Sequence, residues 1–426
     1  MPQINPQTKP RKPFNTNLML LLLGRIVSDI GSSVIMLIMP LYILDIGGSA
    51  STIGLFSFLA MAPILLMFPF GGVIGDRLNR KTIMVSADLA SAGVVFIMAA
   101  LSAMGLLYLP LLLALQVLVS TFFGFFDPAS KGMVPKLVDK EDLKKTNSKI
   151  ATARILSGVV APLVAVGLYI RFGITLLFLL NAISFLFSGI SESFIQYHHE
   201  PQEGSLDAMS ILTDLRGGFT FIMNNSLIRR LCLYFFAIFA MIQPIFALIL
   251  PLVYRTQLSY PDQNYGYLQV SLFVGALVGS MLVNFFGDEN NLLRPLKGGI
   301  VAMTTVVSLF ALVILPQIIS ALGKGSPAYY LLFTSVLFFL YMGFMFIIIP
   351  MQTIIQTTTP DAYMSRVFSI VGLIMKGGMP LGALLYGGIL DRYPLHWVTL
   401  VTAAIIIGVS VYFLRSIRHV SLDTGH

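Results

Sequence analysis

A single cysteine, Cys232, leaves the chain without an intramolecular disulfide and without the thiolates of a Cys-based metal site. Its five histidines (His198, His199, His396, His419 and His426) all fall in expected loops or termini, so neither a metal centre nor a catalytic triad is expected. No phosphate-cradling loop is present, which argues against direct ATP coupling, and no constellation of an enzyme emerges. Charge is scarce as well: Asp, Glu, Lys and Arg make up 11% of the 426 residues, against 56% hydrophobic. A soluble domain of that size could not cover its surface with so few polar groups.

What the chain has instead is long apolar runs and a mean hydropathy of +0.86. The runs approach 20 residues, the length at which a helix crosses roughly 30 Å of hydrocarbon. Only helices and closed barrels satisfy their backbone in lipid, and the short alternating segments of a barrel are absent. An all-α polytopic membrane protein follows, with twelve spans expected near 18–44, 50–74, 82–104, 107–127, 148–170, 173–195, 230–254, 265–286, 298–317, 328–350, 364–389 and 395–414. The first run contains Arg25 and Asp29 and is too long for a signal-peptide core, so it is taken as a retained span.

The formal net charge of +8 does not point to nucleic acid. Of the 27 Lys and Arg, only Arg171, Arg255, Lys324 and Arg392 fall outside, and Arg25, Arg154 and Lys376 lie within spans. The other basic residues line the inner face, which places both termini in the cytoplasm. The basic balance is topogenic.

The chain also repeats itself at about half its length. Met39-Pro40-Leu41-Tyr42 and Leu250-Pro251-Leu252-Val253 end the first and seventh spans, 211 residues apart. Gly54 and Gly266, and Gly75-Asp76 and Gly287-Asp288, are each 212 apart, and Pro162 and Pro380 are 218 apart. A duplication of six plus six spans is expected: a bundle over 1–195, a polar linker over 196–229, and a second bundle over 230–426. Parallel halves of this kind hold substrate near midplane between them. In the linker Ile211, Leu212, Leu215, Phe219 and Ile222 share a helical face, as in a helix lying along the membrane surface.

The charged stretch Gly71-Gly72-Val73-Ile74-Gly75-Asp76-Arg77-Leu78-Asn79-Arg80-Lys81 is expected as a loop between spans two and three. With it the chain resembles the major facilitator superfamily, whose motif there is a Gly, three residues, Asp-Arg and a basic cluster. Asn79 stands where Gly is common. Ser157-Gly158-Val159-Val160-Ala161-Pro162 is similar to a degenerate antiporter motif of span five, and Gln116 replaces the basic residue often found in span four. Asp127-Pro128-Ala129, Asn181-Ala182-Ile183-Ser184-Phe185, Thr213-Asp214-Leu215-Arg216-Gly217-Gly218 and Gln356-Thr357-Thr358-Thr359-Pro360-Asp361 resemble the macrolide-efflux and enterobactin-exporter-like branch. The resemblance implies the superfamily's fold of two six-helix bundles. It also implies proton-coupled efflux of a drug or secondary metabolite from a bacterial inner membrane, without a cofactor beyond the proton gradient and as a monomer. An anionic siderophore or a lipid is the alternative cargo, and a transport-inactive receptor or scaffold is the alternative class.

Ionisable groups inside the membrane cost about 2.5–3.5 kcal/mol or more each, so they mark function. Asp29 lies roughly 16 Å into the first span, near midplane, and Arg25 one turn earlier can pair with it. That pair is either a proton-exchanging site or a static brace. Lys376 is near midplane in span eleven; Gly372, Gly377, Gly378 and Pro380 would let its helix bend or unwind locally. Gln116, Asn181, Gln243 and Gln352 are candidates to line the substrate cavity, or to bond helix to helix. Asp88, Asp127 and Arg154 are expected as a cytoplasmic gate or brace, and Glu192, near the end of span six, as interfacial. Gly72, Asp76, Arg77, Arg80 and Lys81, with Pro162 and Pro380, are the candidate moving parts. Asp76 is expected to latch onto a helix N-terminus or a cation of the opposite bundle, where helix dipoles favour an anion.

Overall fold

The computed structural model describes residues 16–77, 79–138, 142–197, 208–258, 260–261, 263–286, 293–360 and 364–418. The first half contains α1 (Thr16–Asp45), α2 (Ala50–Arg77), α3 (Arg80–Ala103), α4 (Leu109–Leu137) and α5 (Leu143–Ser193). After α6 (Ala208–Asn224), α7 (Ser226–Pro244) passes through a π turn, Ile245–Ile249, into α8 (Leu250–Thr256). Then come α9 (Gln263–Phe286), α10 (Leu293–Val313), the short α11 (Pro316–Leu322), α12 (Pro327–Thr358), α13 (Met364–Leu390) and α14 (Leu395–Ser416).

Eleven helical stretches among the described residues are long and apolar enough to cross a membrane. One of them, within α5, is two spans. Alpha-helical rise would carry its 51 residues far beyond one bilayer thickness, and the helix breaks at Gly173. There φ is +71° and ψ −176°, a conformation open to glycine alone. Beyond that turn the chain runs back antiparallel to α1: Asn17 pairs with Gln196, and Ser191 Oγ donates to Leu20 O at 2.9 Å. The total is twelve spans.

Local chemistry sets the other boundaries. Asn79 caps α3 by accepting from Lys81 N at 3.0 Å, Asn225 caps α7 by accepting from Ile228 N at 3.0 Å, and Ser326, followed by Pro327, caps α12. Apolar side chains such as Leu66, Phe285, Leu331 and Tyr412 stay exposed on the outer flanks, as a bilayer-facing belt requires.

Within the first half α1 and α3 pack on α5, and α2 and α3 on α4; within the second, α12 packs on α9 and α10, and α13 on α7. The broadest contacts between the halves are α2 with α13 and α5 with α9, with smaller ones from α2 to the π turn and from α1 to α8. The glycines 212 residues apart sit at these two crossings. A Cβ on Gly54 would strike the Ala383 carbonyl of α13, and one on Gly266 would lie 2.7 Å from the Pro162 carbonyl of α5. The duplication therefore recurs in space, with each repeat using the same glycine to let the bundles touch.

Several expectations change. The loop at 71–81 is almost absent: α2 continues to Arg77 and α3 begins at Arg80, leaving two residues between them. Gly72, Asp76 and Arg77 thus end a helix, with their side chains outside the described residues. The fourth span runs on to Leu137, so Asp127 lies inside α4 and not at its end. Gln317 belongs to α11, not to span nine. α13 is one continuous helix through Pro380, and its glycines serve contact more than bending: Gly378 meets Phe236 and Gly382 meets Ala240, both on α7. The linker helix α6 packs on α7 and α13, burying Ile222 while Phe219 stays exposed. Gly287-Asp288 and Asp361 lie outside the described residues.

Candidate functional site: two polar ends of a bundle pair

The twelve spans have a basic end, where α1, α3 and α7 begin, and a sparsely charged opposite end. At the basic end of the first half a charge network ties α1 to α4. Arg25 Nη2 donates to Asp127 Oδ1 at 2.7 Å and Nη1 to Ser130 Oγ at 2.7 Å. Lys131, one turn after Asp127, donates to its other oxygen at 2.6 Å. The expected partner of Arg25, Asp29, stands farther away at 3.6 Å from Nε. Arg25 is therefore fixed by Asp127, and Asp29 keeps a side chain 23% exposed. The expected ion pair with Asp29 is thus present, and the second, closer partner has a geometric cause: Arg25 is long enough to reach the next helix, where a carboxylate and a hydroxyl together satisfy both ends of the guanidinium. The Phe126 ring also lies 5.8 Å from the guanidinium carbon.

Arg80 donates to the Gly132 carbonyl, pinning the start of α3 to α4. Lys81 is half-buried beside it. Arg154 lies in α5 with its side chain outside the described residues.

Asp88 and Glu192 give the clearest departure. Asp88 is 2% exposed and Glu192 0%, so Glu192 is not interfacial. The second span of α5 presents Ser184, Ser188 and Ser191 to α1, whose Gly24 and Gly31 admit them at close range. Glu192 follows Ser188 by one turn and is drawn inside with that small-residue stripe. Leu21, Met84, Ala87, Phe126, Met133 and Ile195 form the apolar cluster around this region.

Gln116 and Asn181 are both buried. They meet in a pocket of about 30 Å³ inside the first bundle, with Ser32, Val95 and Phe178, room for about one water. Gln116 also donates to Ser120 Oγ at 3.0 Å. Gln243 is half-buried just before the π turn, its Oε1 without a hydrogen-bond partner, whereas Gln352 is exposed on α12. Lys376 is exposed on α13, beside the Gly377 and Gly378 contact with α7. The structure brings Arg25, Asp29, Asp88 and Asp127 together and leaves Lys376, Gln243 and Gln352 in the other half.

The opposite end holds residues that the sequence did not single out. Asp45, at the end of α1, accepts from Arg255 Nη2 of α8 at 3.0 Å and from Tyr169 Oη at 2.7 Å. Asp391, just past α13, accepts from Ser49 Oγ at 2.9 Å and from Ser51 N at 3.3 Å, capping the N-terminus of α2 from the other half. Burial pushes the Asp391 carboxyl up, but the hydrogen bonds from Ser51, Ser49 and Ala50 outweigh it and hold it below the usual carboxylate value. Both of these polar contacts between halves lie at this end.

Such a frame of paired helices with charges buried in one half invites comparison with known proteins. A Major Facilitator Superfamily profile matches residues 21–383. The chain belongs to that superfamily. Its members are transporters, not enzymes, and this chain is a multi-pass membrane protein of that fold. It is 26% identical over 417 residues to macrolide efflux protein A of Streptococcus pyogenes, covering 94% of this chain and 96% of that one. It is 22% identical over 426 residues to the multidrug efflux pump Tap of Mycolicibacterium fortuitum, covering 95% of this chain and 97% of the pump. Among solved structures the nucleoside transporter NupG superposes with a TM-score of 0.75 at 13% identity, over 96% of this chain and 100% of that one.

Proposed function

We propose that the protein exports lipophilic or amphipathic small molecules, a macrolide-like drug or a secondary metabolite, across a bacterial inner membrane in exchange for protons. The relatives named for macrolide and multidrug efflux support the direction and the cargo class. The basic end faces the cytoplasm with both termini, by the positive-inside bias. The observation that carries the mechanism is the polar bridge between halves at the far end. Asp45–Arg255 and Asp391–Ser49/Ser51 hold the outer mouth shut, as in the cytoplasm-facing half of an alternating-access cycle.

Transport then consists of exchanging that outer seal for an inner one. When the outer contacts part, Asp76 at the end of α2 docks near the start of α13, the same two helices that Asp391 joins at the other end. Each state thus places one carboxylate on one helix N-terminus of the pair, where the dipole favours it. Arg25, fixed by Asp127, keeps α1 and α4 moving as one body, and Asp29 beside it stands where a proton or substrate can reach it. Lys376 on the second bundle supplies the facing cation for an amphipathic or anionic cargo.

Purified protein in proteoliposomes tests the reading. An imposed inward-acid gradient, oriented to favour export, should drive accumulation of radiolabelled macrolide at least about tenfold over a vesicle without protein. Accumulation independent of the proton gradient removes the antiport. Macrolide binding with no transport under any gradient makes the protein a receptor instead.

A further inference from the structure

The buried acids on α3 and α5 are not satisfied by the contacts around them. Neither Oε of Glu192 nor Oδ2 of Asp88 has a hydrogen-bond partner, and the fully buried Ser188 Oγ beside both carboxyls has none either. A built Cβ on Gly189 would stand 3.5 Å from Asp88 Cβ, so glycine at this position lets the two helices close up around these groups. The facing charges from the packed helices are Arg25 and Asp29 on α1 and Asp127 and Lys131 on α4. Arg25 and Lys131 are both engaged by Asp127. Two carboxylates in an apolar cage with no cation of their own cannot both stay ionised and unpaired. The donor atoms are all oxygens, the set for a proton or a small hard cation.

We propose that Asp88 and Glu192, with Ser188, form a proton-binding site of the transport cycle, occupied by one proton in the cytoplasm-facing state. One proton satisfies the count of orphan atoms. It forms an O–H bond on one carboxyl and is hydrogen-bonded by the other, while the Ser188 hydroxyl donates to a remaining oxygen. Opening of the α3–α5 seam to cytoplasmic water releases that proton from the carboxyl oxygen to water as the substrate loads. This assignment deepens the antiport reading and depends on it for its role, though not for the existence of the site.

Two measurements on the full-length protein separate those dependencies. Infrared difference spectra across a pH titration should show a protonated-carboxyl C=O band that disappears in both Glu192→Gln and Asp88→Asn. In proteoliposomes, gradient-driven accumulation of radiolabelled macrolide should fall at least tenfold in Glu192→Gln, while macrolide counterflow keeps a third or more of its rate. Glu192→Gln is isosteric and removes an unpaired buried acid, so its midpoint of thermal unfolding should equal or exceed the unsubstituted value. A band unchanged in both variants, or full gradient-driven accumulation in Glu192→Gln, overturns the site. A sodium gradient that replaces the proton gradient, with the dependence lost in Glu192→Gln, overturns the proton as ligand. A Glu192-dependent band in a protein that moves no protons upholds the site and overturns only the antiport.

Discussion

The two ends of the bundle pair use carboxylates in opposite ways. At the sparsely charged end Asp45 and Asp391 reach across to the other half, each within 3.3 Å of its partner, and both sit at helix termini next to water. At the basic end Asp127, Asp88 and Glu192 are buried in the first half, on the flanks of helices, and Asp127 pairs with Arg25 of that same half. The contrast separates what must be made and broken from what must persist. Exposed cross-half contacts are weak and salt-screened, hence reversible at little cost, while a buried Arg–Asp pair is expensive to disrupt.

That contrast fails first if the inner network proves dispensable. Asp127→Ala leaves Arg25 buried without its partner, and destabilisation of about 3–5 kcal/mol is expected, seen as a lowered thermal midpoint of purified protein. A midpoint within error of the unsubstituted protein would show that α1 and α4 do not depend on the pair.

Next in size is the crossing of α2 and α13. Gly54→Leu puts a side chain against the Ala383 carbonyl, where no flexible group can yield. The outer mouth should then fail to shut, and macrolide transport should fall at least about tenfold with normal membrane insertion. Normal transport would mean that the bundles meet elsewhere.

A smaller effect is expected from the latch itself. Arg255→Gln removes one half of a partly exposed pair, so the outer-open population should rise by at most about fivefold, equivalent to about 1 kcal/mol. The same substitution at high salt should change little, because the pair is already screened there.

The smallest effect concerns pH. Asp391 is held below its ordinary value of 3.8, so its contribution to the closed outer mouth is complete above that value and is lost only as pH falls through the lowered one. Outer-mouth distances should therefore be constant between about pH 5 and 8 as far as Asp391 is concerned, and Asp391→Asn should leave any pH dependence in that window intact. A pH response abolished by Asp391→Asn would move the sensor from the inner end to the outer.

Much of this frame was legible before any coordinate. Span length and apolarity gave twelve crossings, and the 212-residue register of Gly54 and Gly266 marked the repeat, though not that these glycines lie where the halves touch. Asp29, Arg25, Asp88 and Asp127 stood out because charge in hydrocarbon is costly. The Arg25–Asp29 pair was legible as a one-turn neighbour, but the closer Arg25–Asp127 pair was not, because a residue on another helix is not visible in a sequence. Glu192 was misplaced for a related reason: distance from a helix end was used as a proxy for depth. The stripe Ser184, Ser188 and Ser191 carried the missing signal, since small polar residues at one-turn spacing mark a helix face pressed against another, and Glu192 continues that face. Asp45, Arg255 and Asp391 left no trace in the sequence beyond a lone charge at each span end, which topology explains equally well.

Alternating access requires that the two ends open and close reciprocally, and inter-label distances measure that directly. In a Cys232→Ser background, spin labels at Ile46→Cys and Arg392→Cys report the outer mouth, and labels at Lys136→Cys and Arg418→Cys report the basic end. Adding macrolide under a proton gradient should lengthen the first distance and shorten the second in the same fraction of molecules. Distances that change at one end alone, or at neither while transport proceeds, would contradict the alternating seal.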